Sequence, residues 1–168
     1  MHIRLVMAMP EQESQKLMQS LFEAAMCLIP LDISVNTVET KDDLLDRVVA
    51  DLDDVIVLDW PLAREETPDL VRTVLRRNPR MRLVALLPMA LRQYRQATWD
   101  AGACNSIPKE LIDQEWLSSL LCVINRAMER EARILNTQSA NPPLPNTHST
   151  VGMATCLPIS TPFGGGNG

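Results

Sequence analysis

Short apolar runs and amphipathic stretches alternate along the first 135 residues. The run "IRLVMAM" (3–9) reads as a strand. It leads into "PEQESQKLMQSLFEAAMCL" (10–28), a predicted helix. Pro10 suits its first turn, Glu11 and Glu13 favour its positive end, and Leu17, Leu21, Ala24, Ala25 and Leu28 share a face. "DISVNTVET" (32–40) alternates Ile33, Val35 and Thr37 as a half-buried strand does. Thr40 then caps "KDDLLDRVVADL", with Asp43 at the capping-box spacing. "DVIVLD" (54–59) has the unbroken apolar pattern of a strand buried on both faces. Thr67 and Pro68 open the helix "DLVRTVLRRN", which ends at Asn78-Pro79. "MRLVALL" (81–87) is a second buried strand. "ALRQYRQATWDAG" is a helix closed by Gly102, and "CNSI" (104–107) is a short strand. "LIDQEWLSSLLCVINRAMEREARIL" completes the series as a long amphipathic helix.

The unit β-α thus occurs five times. Buried strands that alternate with helices predict a parallel sheet covered on both faces. With right-handed crossovers, a flavodoxin-like, doubly wound five-stranded α/β sheet is the expected topology. Ligands meet such sheets at the carboxyl ends of the strands, near the point where strand order reverses. Those ends carry Met9, Pro10 and Glu11 after the first strand and Asp59 at the third. Leu87 and Pro88 end the fourth, and Pro108 and Lys109 end the fifth. Asp59 stands out, because a carboxylate closing a buried strand is costly unless something pairs with it.

Periodicity ends near Asn136. From there to Gly168 the chain has no Asp, Glu, Lys or Arg and is rich in Pro, Ser, Thr and Gly. Such a segment buries too little apolar surface to offset its ordering entropy, so 136–168 is expected to be a disordered tail. The expected organisation is one domain over 1–128, a helical extension over 129–135 and that tail. In the extension, "RAMEREARIL" lies past the end of the domain. Leu117, Leu121, Ile124, Met128 and Leu135 run at near-heptad spacing, which suits a solvated helix or a coiled-coil seam in a homodimer.

Composition narrows the function. Of the 168 residues 46% are hydrophobic but only 4% aromatic, so the core is aliphatic and Met-rich. The formal charge of −5 argues against nucleic acid as a partner, since phosphate neutralisation needs basic stripes. Cys27, Cys104, Cys122 and Cys156 are widely spaced, which suits free thiols in a reducing cytoplasm better than a metal site or a disulfide framework. No apolar run approaches the roughly 20 residues that span a bilayer, and the start does not resemble a signal peptide. A GxGxxG after the first strand and a GxxxxGK[ST] are both absent, which excludes the usual dinucleotide and nucleoside-triphosphate sites. His2 and His148 are the only histidines, and without a GxSxG they form no hydrolase triad.

Three segments carry a family resemblance: "DDVIVLDWPL", "RRNPRMRLVALLP" and "ATWDAGACNSIPKE". Together they resemble the phosphoacceptor strand, the fourth strand and the lysine segment of bacterial response-regulator receiver domains, over residues 2–128. Asp59 and Lys109 lie fifty residues apart, as the acceptor and the lysine do in that family. The resemblance implies a non-enzymatic, cytoplasmic module of two-component signal transduction. A histidine kinase or another signalling protein is then its partner and Asp59 the candidate phosphoacceptor. It further implies Mg²⁺ on that aspartate, on an acidic pair after the first strand and on a nearby backbone carbonyl. Lys109 and a fourth-strand hydroxyl would bind the phosphoryl oxygens. A carboxylate attacking a phosphoryl group brings anion to anion, and these groups spread the charge.

The sequence departs from this pattern in several places. The acidic pair falls on Met9 and Pro10, which leaves Glu11 as the remaining acid beside Asp59, so Mg²⁺ is expected to bind weakly. The hydroxyl position falls on Leu87 or Pro88, and the aromatic switch position on Ser106. Two roles for Asp59 therefore stand side by side: phosphoacceptor, or structural carboxylate paired with Lys109. The second implies a degenerate pseudo-receiver that works as a protein–protein interaction module.

Overall fold

The computed structural model describes residues 2–140. Its strands are β1 (His2–Ala8), β2 (Asp32–Val38), β3 (Val55–Asp59), β4 (Arg82–Leu87) and β5 (Asn105–Pro108). Between and after them come α1 (Gln12–Met26), α2 (Lys41–Val49), α3 (Thr67–Arg77), α4 (Arg92–Asp100) and α5 (Gln114–Ala140). All strand pairs are parallel, in the order β2-β1-β3-β4-β5. This is the doubly wound, flavodoxin-like sheet that the alternating pattern predicts.

Side chains of a strand alternate between the two faces of its sheet. Ile3, Leu5, Met7 and Met9 join Val55 and Val57 under α1 and α5. Val6, Ala8, Ile56 and Leu58 meet α2, α3 and α4 on the other face. Every residue of β3 is buried, as expected for a central strand covered twice. The acids before it are held at its amino end. Arg47 meets the buried Asp53 at 2.7 Å, and Arg4 takes both oxygens of Asp54, at 2.7 and 3.1 Å.

The local signals hold at α2 and α4. Thr40 Oγ1 accepts the Asp43 amide at 3.1 Å, capping α2. Gly102 follows α4 with φ +107°, and a Cβ there would lie 2.6 Å from Leu75 Cδ1. Two expectations change. In α1 the buried stripe is Ser14, Met18, Phe22 and Ala25, while Leu17 and Leu28 are exposed. The period is right and the phase is off by one residue, a rotation that puts the bulky Phe22 in the core. In α5 the first turn of the extension does meet the domain. Leu117, Leu121 and Ile124 are buried, Met128 packs on the same cluster, and Glu131 pairs with Arg82 at 2.5 Å.

The helix continues to Ala140, so residues 136–140 are helical although the uncharged segment begins at Asn136. Residues 141–168, with His148 and Cys156, lie outside the described residues. Among the described residues no helix is long and apolar enough to cross a membrane.

Candidate functional site

β1 and β3 run side by side, and their carboxyl ends open where β2 departs to one side and β4 and β5 to the other. This is the crevice in which doubly wound folds bind ligands. Asp59 closes β3, opposite Leu86 of β4, with a fully buried side chain. Lys109 follows β5 at the start of a short 3-10 turn (Lys109–Leu111). Its Nζ reaches Asp59 Oδ2 at 2.7 Å, so the structure brings together the two residues that sequence spacing singled out. Lys109 keeps 26% of its side-chain surface exposed.

A third residue completes the arrangement. Ser14, buried in the first turn of α1, accepts a second hydrogen bond from Lys109 Nζ at 2.8 Å and donates to Glu11 Oε2 at 3.1 Å. Glu11 thus joins Asp59 through Ser14 and Lys109 and not directly. Burial pushes the Asp59 carboxyl above its ordinary range. Lys109 opposes that rise by hydrogen bonding and charge, and the nearby charge of Glu11 adds to it. Asp59 Oδ1 is buried and has no hydrogen-bond partner.

The other predicted positions are spread around this centre. Met9 stands where an acid would be needed, fully buried in the core beneath α1 and α5, with its carbonyl accepting Gln15 Nε2 at 2.7 Å. Pro10 is half-buried beside it. Leu87 belongs to the core on the opposite face of the sheet. The Ser106 hydroxyl is buried without a partner. Trp60 is half-buried at the rim, where it packs against Tyr94 with ring centroids 4.9 Å apart and planes inclined by 57°.

The donor set does not suit a tightly held Mg²⁺. That ion demands near-octahedral oxygen coordination. Asp59 and Glu11 are the two carboxylates available, and each already accepts a hydrogen bond from Lys109 or Ser14. The Met9 thioether is a soft donor that Mg²⁺ does not favour. Among the described residues no group of three or more His, Cys, Asp or Glu side chains could hold a metal ion.

Sequence reasoning missed Ser14 and Glu110. Ser14 lies on the buried stripe of α1 and would have emerged had that stripe been phased on Phe22. Glu110, next to Lys109, accepts the Met89 amide with both oxygens, at 3.0 and 3.2 Å. Its own backbone amide first, and the Met89 amide next, hold its carboxyl below the usual range. No local sequence signal marks the Glu110 contact, which joins the β4–α4 loop to the end of β5.

The sheet order β2-β1-β3-β4-β5 is that of the receiver fold. Solved structures agree. A response-regulator receiver domain protein from Clostridium thermocellum superposes with a TM-score of 0.61 at 17% identity, over 79% of this chain and 98% of its own. The receiver domain of a sensor histidine kinase from Pseudomonas aeruginosa, solved with magnesium in its active-site cleft, gives 0.57 at 15%, over 75% and 97%. A pilus assembly-related protein from Burkholderia pseudomallei gives 0.59 at 15%, over 73% and 88%. No family model and no curated protein matches the chain.

Proposed function

We propose that this chain is a receiver-like signalling module that works through protein contacts, without phosphoryl transfer to Asp59. The observation that carries the proposal is Met9. Its fully buried thioether occupies the end of β1, beside an Asp59 that is itself fully buried and held by Lys109. A phosphoryl group arriving at Asp59 would meet an unneutralised anion, with neither a strong metal site nor a fourth-strand hydroxyl to take up the charge. The lysine that would bind the phosphoryl oxygens is already shared between Asp59 and Ser14. Glu110 fastens the β4–α4 loop through the Met89 amide.

On this reading Asp59 and Lys109 are a structural pair. The module is non-enzymatic and cytoplasmic, and its partner is a histidine kinase or another signalling protein that reads the folded surface. One observation favours the second reading, in which Asp59 is a phosphoacceptor: its Oδ1 has no partner and is a nucleophilic atom in the right place.

Incubation with acetyl phosphate and Mg²⁺, followed by intact mass measurement, separates the two. The proposal expects no phosphoryl adduct on the wild-type chain. An adduct that disappears in Asp59→Asn would establish the phosphoacceptor in its place.

A further inference from the structure

The formal charge of −5 is unevenly spread along the chain. Residues 1–66 hold fourteen acids and five bases, whereas residues 67–104 hold seven arginines, no lysine and two acids, Asp69 and Asp100. Those arginines belong to α3, α4 and the turn into β4. Two grooves open among them. One, of about 640 Å³, lies between α3 and the end of α4, against Arg72, Leu75, Arg76 and Ala101. The other, of about 690 Å³, runs on to Pro79, Arg80, Gly102 and Cys104. They meet at Leu75, which lines both. The path lies at the amino ends of β4 and β5, at the opposite end of the sheet from Asp59. Its acids are already neutralised: Asp69 pairs with Arg72 and Glu131 with Arg82, each at 2.5 Å. Among the described residues no acid pairs with the exposed Arg76 or Arg80, and the Arg76 guanidinium bonds only Thr73 Oγ1, at 3.3 Å.

We propose that this groove binds an acidic amphipathic helix of a partner protein. Arg76 and Arg80 take its carboxylates, since the planar guanidinium fork matches a carboxylate with two parallel hydrogen bonds. Leu75, Pro79 and Ala101 take its apolar side, as grooves that hold a helix do. The floor chooses among anions. Single-stranded nucleic acid needs flat faces on which its bases stack, and Trp60, Tyr94 and Trp99 line neither groove. An anionic membrane would meet the arginines at the rim and leave the recessed apolar floor unfilled. The inference rests on the reading of the chain as a protein-binding module and is separable from the state of Asp59. A phosphoryl adduct there would overturn that reading and leave the groove, at the other end of the sheet, as it is.

Cys104 lies exposed in the groove, and Cys27, also exposed, follows α1 on the other face of the sheet. Alkylation of Cys104 in the full chain, with Cys27 as the internal reference, therefore reads occupancy. The probe is a synthetic helix of about 18 residues, with leucines on one face and glutamates along both flanks. At about 200 µM it should slow alkylation of Cys104 about tenfold, as for a Kd near 20 µM, and leave Cys27 unchanged. A scrambled peptide of the same composition, an oligothymidylate and phosphatidylglycerol vesicles should protect Cys104 far less. Arg76→Glu combined with Arg80→Glu should abolish the protection with the thermal midpoint unchanged, because both side chains are exposed. Lys16→Glu, on α1, should leave the protection intact. Four results would each overturn the proposal. They are no protection at about 1 mM peptide, equal protection by the scrambled peptide, the oligonucleotide or the vesicles, and protection that survives the double variant. The fourth is alkylation of Cys104 that slows with chain concentration alone, which would put a second copy in the groove.

Discussion

Asp59 is unusual less for its position than for what surrounds it. Its carboxyl is buried, one oxygen is paired with Lys109 and the other with nothing, and burial raises its pKa. The folded state therefore holds the Asp59 proton more tightly than the unfolded chain does. That contribution is complete below the ordinary carboxylate value and is lost as pH rises through the raised folded value. Asp59→Asn removes the charge and keeps the shape. Its urea midpoint should exceed that of the wild type at neutral pH, with the gap closing as the solution is acidified. Lys109→Met should act in the opposite direction. It strands a buried carboxylate and should cost about 3 kcal/mol at neutral pH, by the same urea measurement. Met9 admits a complementary test. Met9→Asp should gain thermal stability on addition of Mg²⁺, because a ligand that binds only the folded state stabilises it, whereas the wild-type midpoint should stay nearly constant.

At the scale of elements, the strands were legible because β1, β3 and β4 are covered on both faces and read as unbroken apolar runs. Ends marked by local chemistry were legible too, as at Thr40 and Gly102. Gly102→Ala should lower stability by about 2 kcal/mol, since alanine is strained at φ +107° and its Cβ would press on Leu75. The phase of α1 was not legible. Leu17 and Leu21 make as good a stripe on paper as Met18 and Phe22, and only the shape of the sheet chooses between them. Ser14 was hidden by the same ambiguity, so half of the lysine's environment could not be read from spacing. The Glu131–Arg82 pair joins residues 49 apart in the chain, and nothing local announces it. The clamp between Arg4 and Asp54 ties β1 to β3 in the same long-range way. Burial pushes the Asp54 carboxyl up, but its bonds to Arg4 more than reverse this and hold it below its usual range. Its stabilisation is present above the unfolded carboxylate value and is lost as pH falls through the lower folded value. Asp54→Asn should therefore cost about 1–2 kcal/mol at neutral pH and little in acid, as followed by thermal unfolding at both pH values.

At the scale of the whole molecule, the sheet order is that of the receiver fold. The carboxyl ends of β3 and β5 and the first turn of α1 bring together a buried ion pair and a serine, with Met9 in the core beside them. The proposed function requires that the crevice take no phosphoryl group. Its most direct test is a two-dimensional NMR titration of the full chain with beryllofluoride, a phosphoryl mimic, at millimolar Mg²⁺. The amide resonances of Ser14, Asp59, Trp60 and Lys109 are expected to stay where they are. Saturable shifts at those residues, absent in Asp59→Asn, would contradict it.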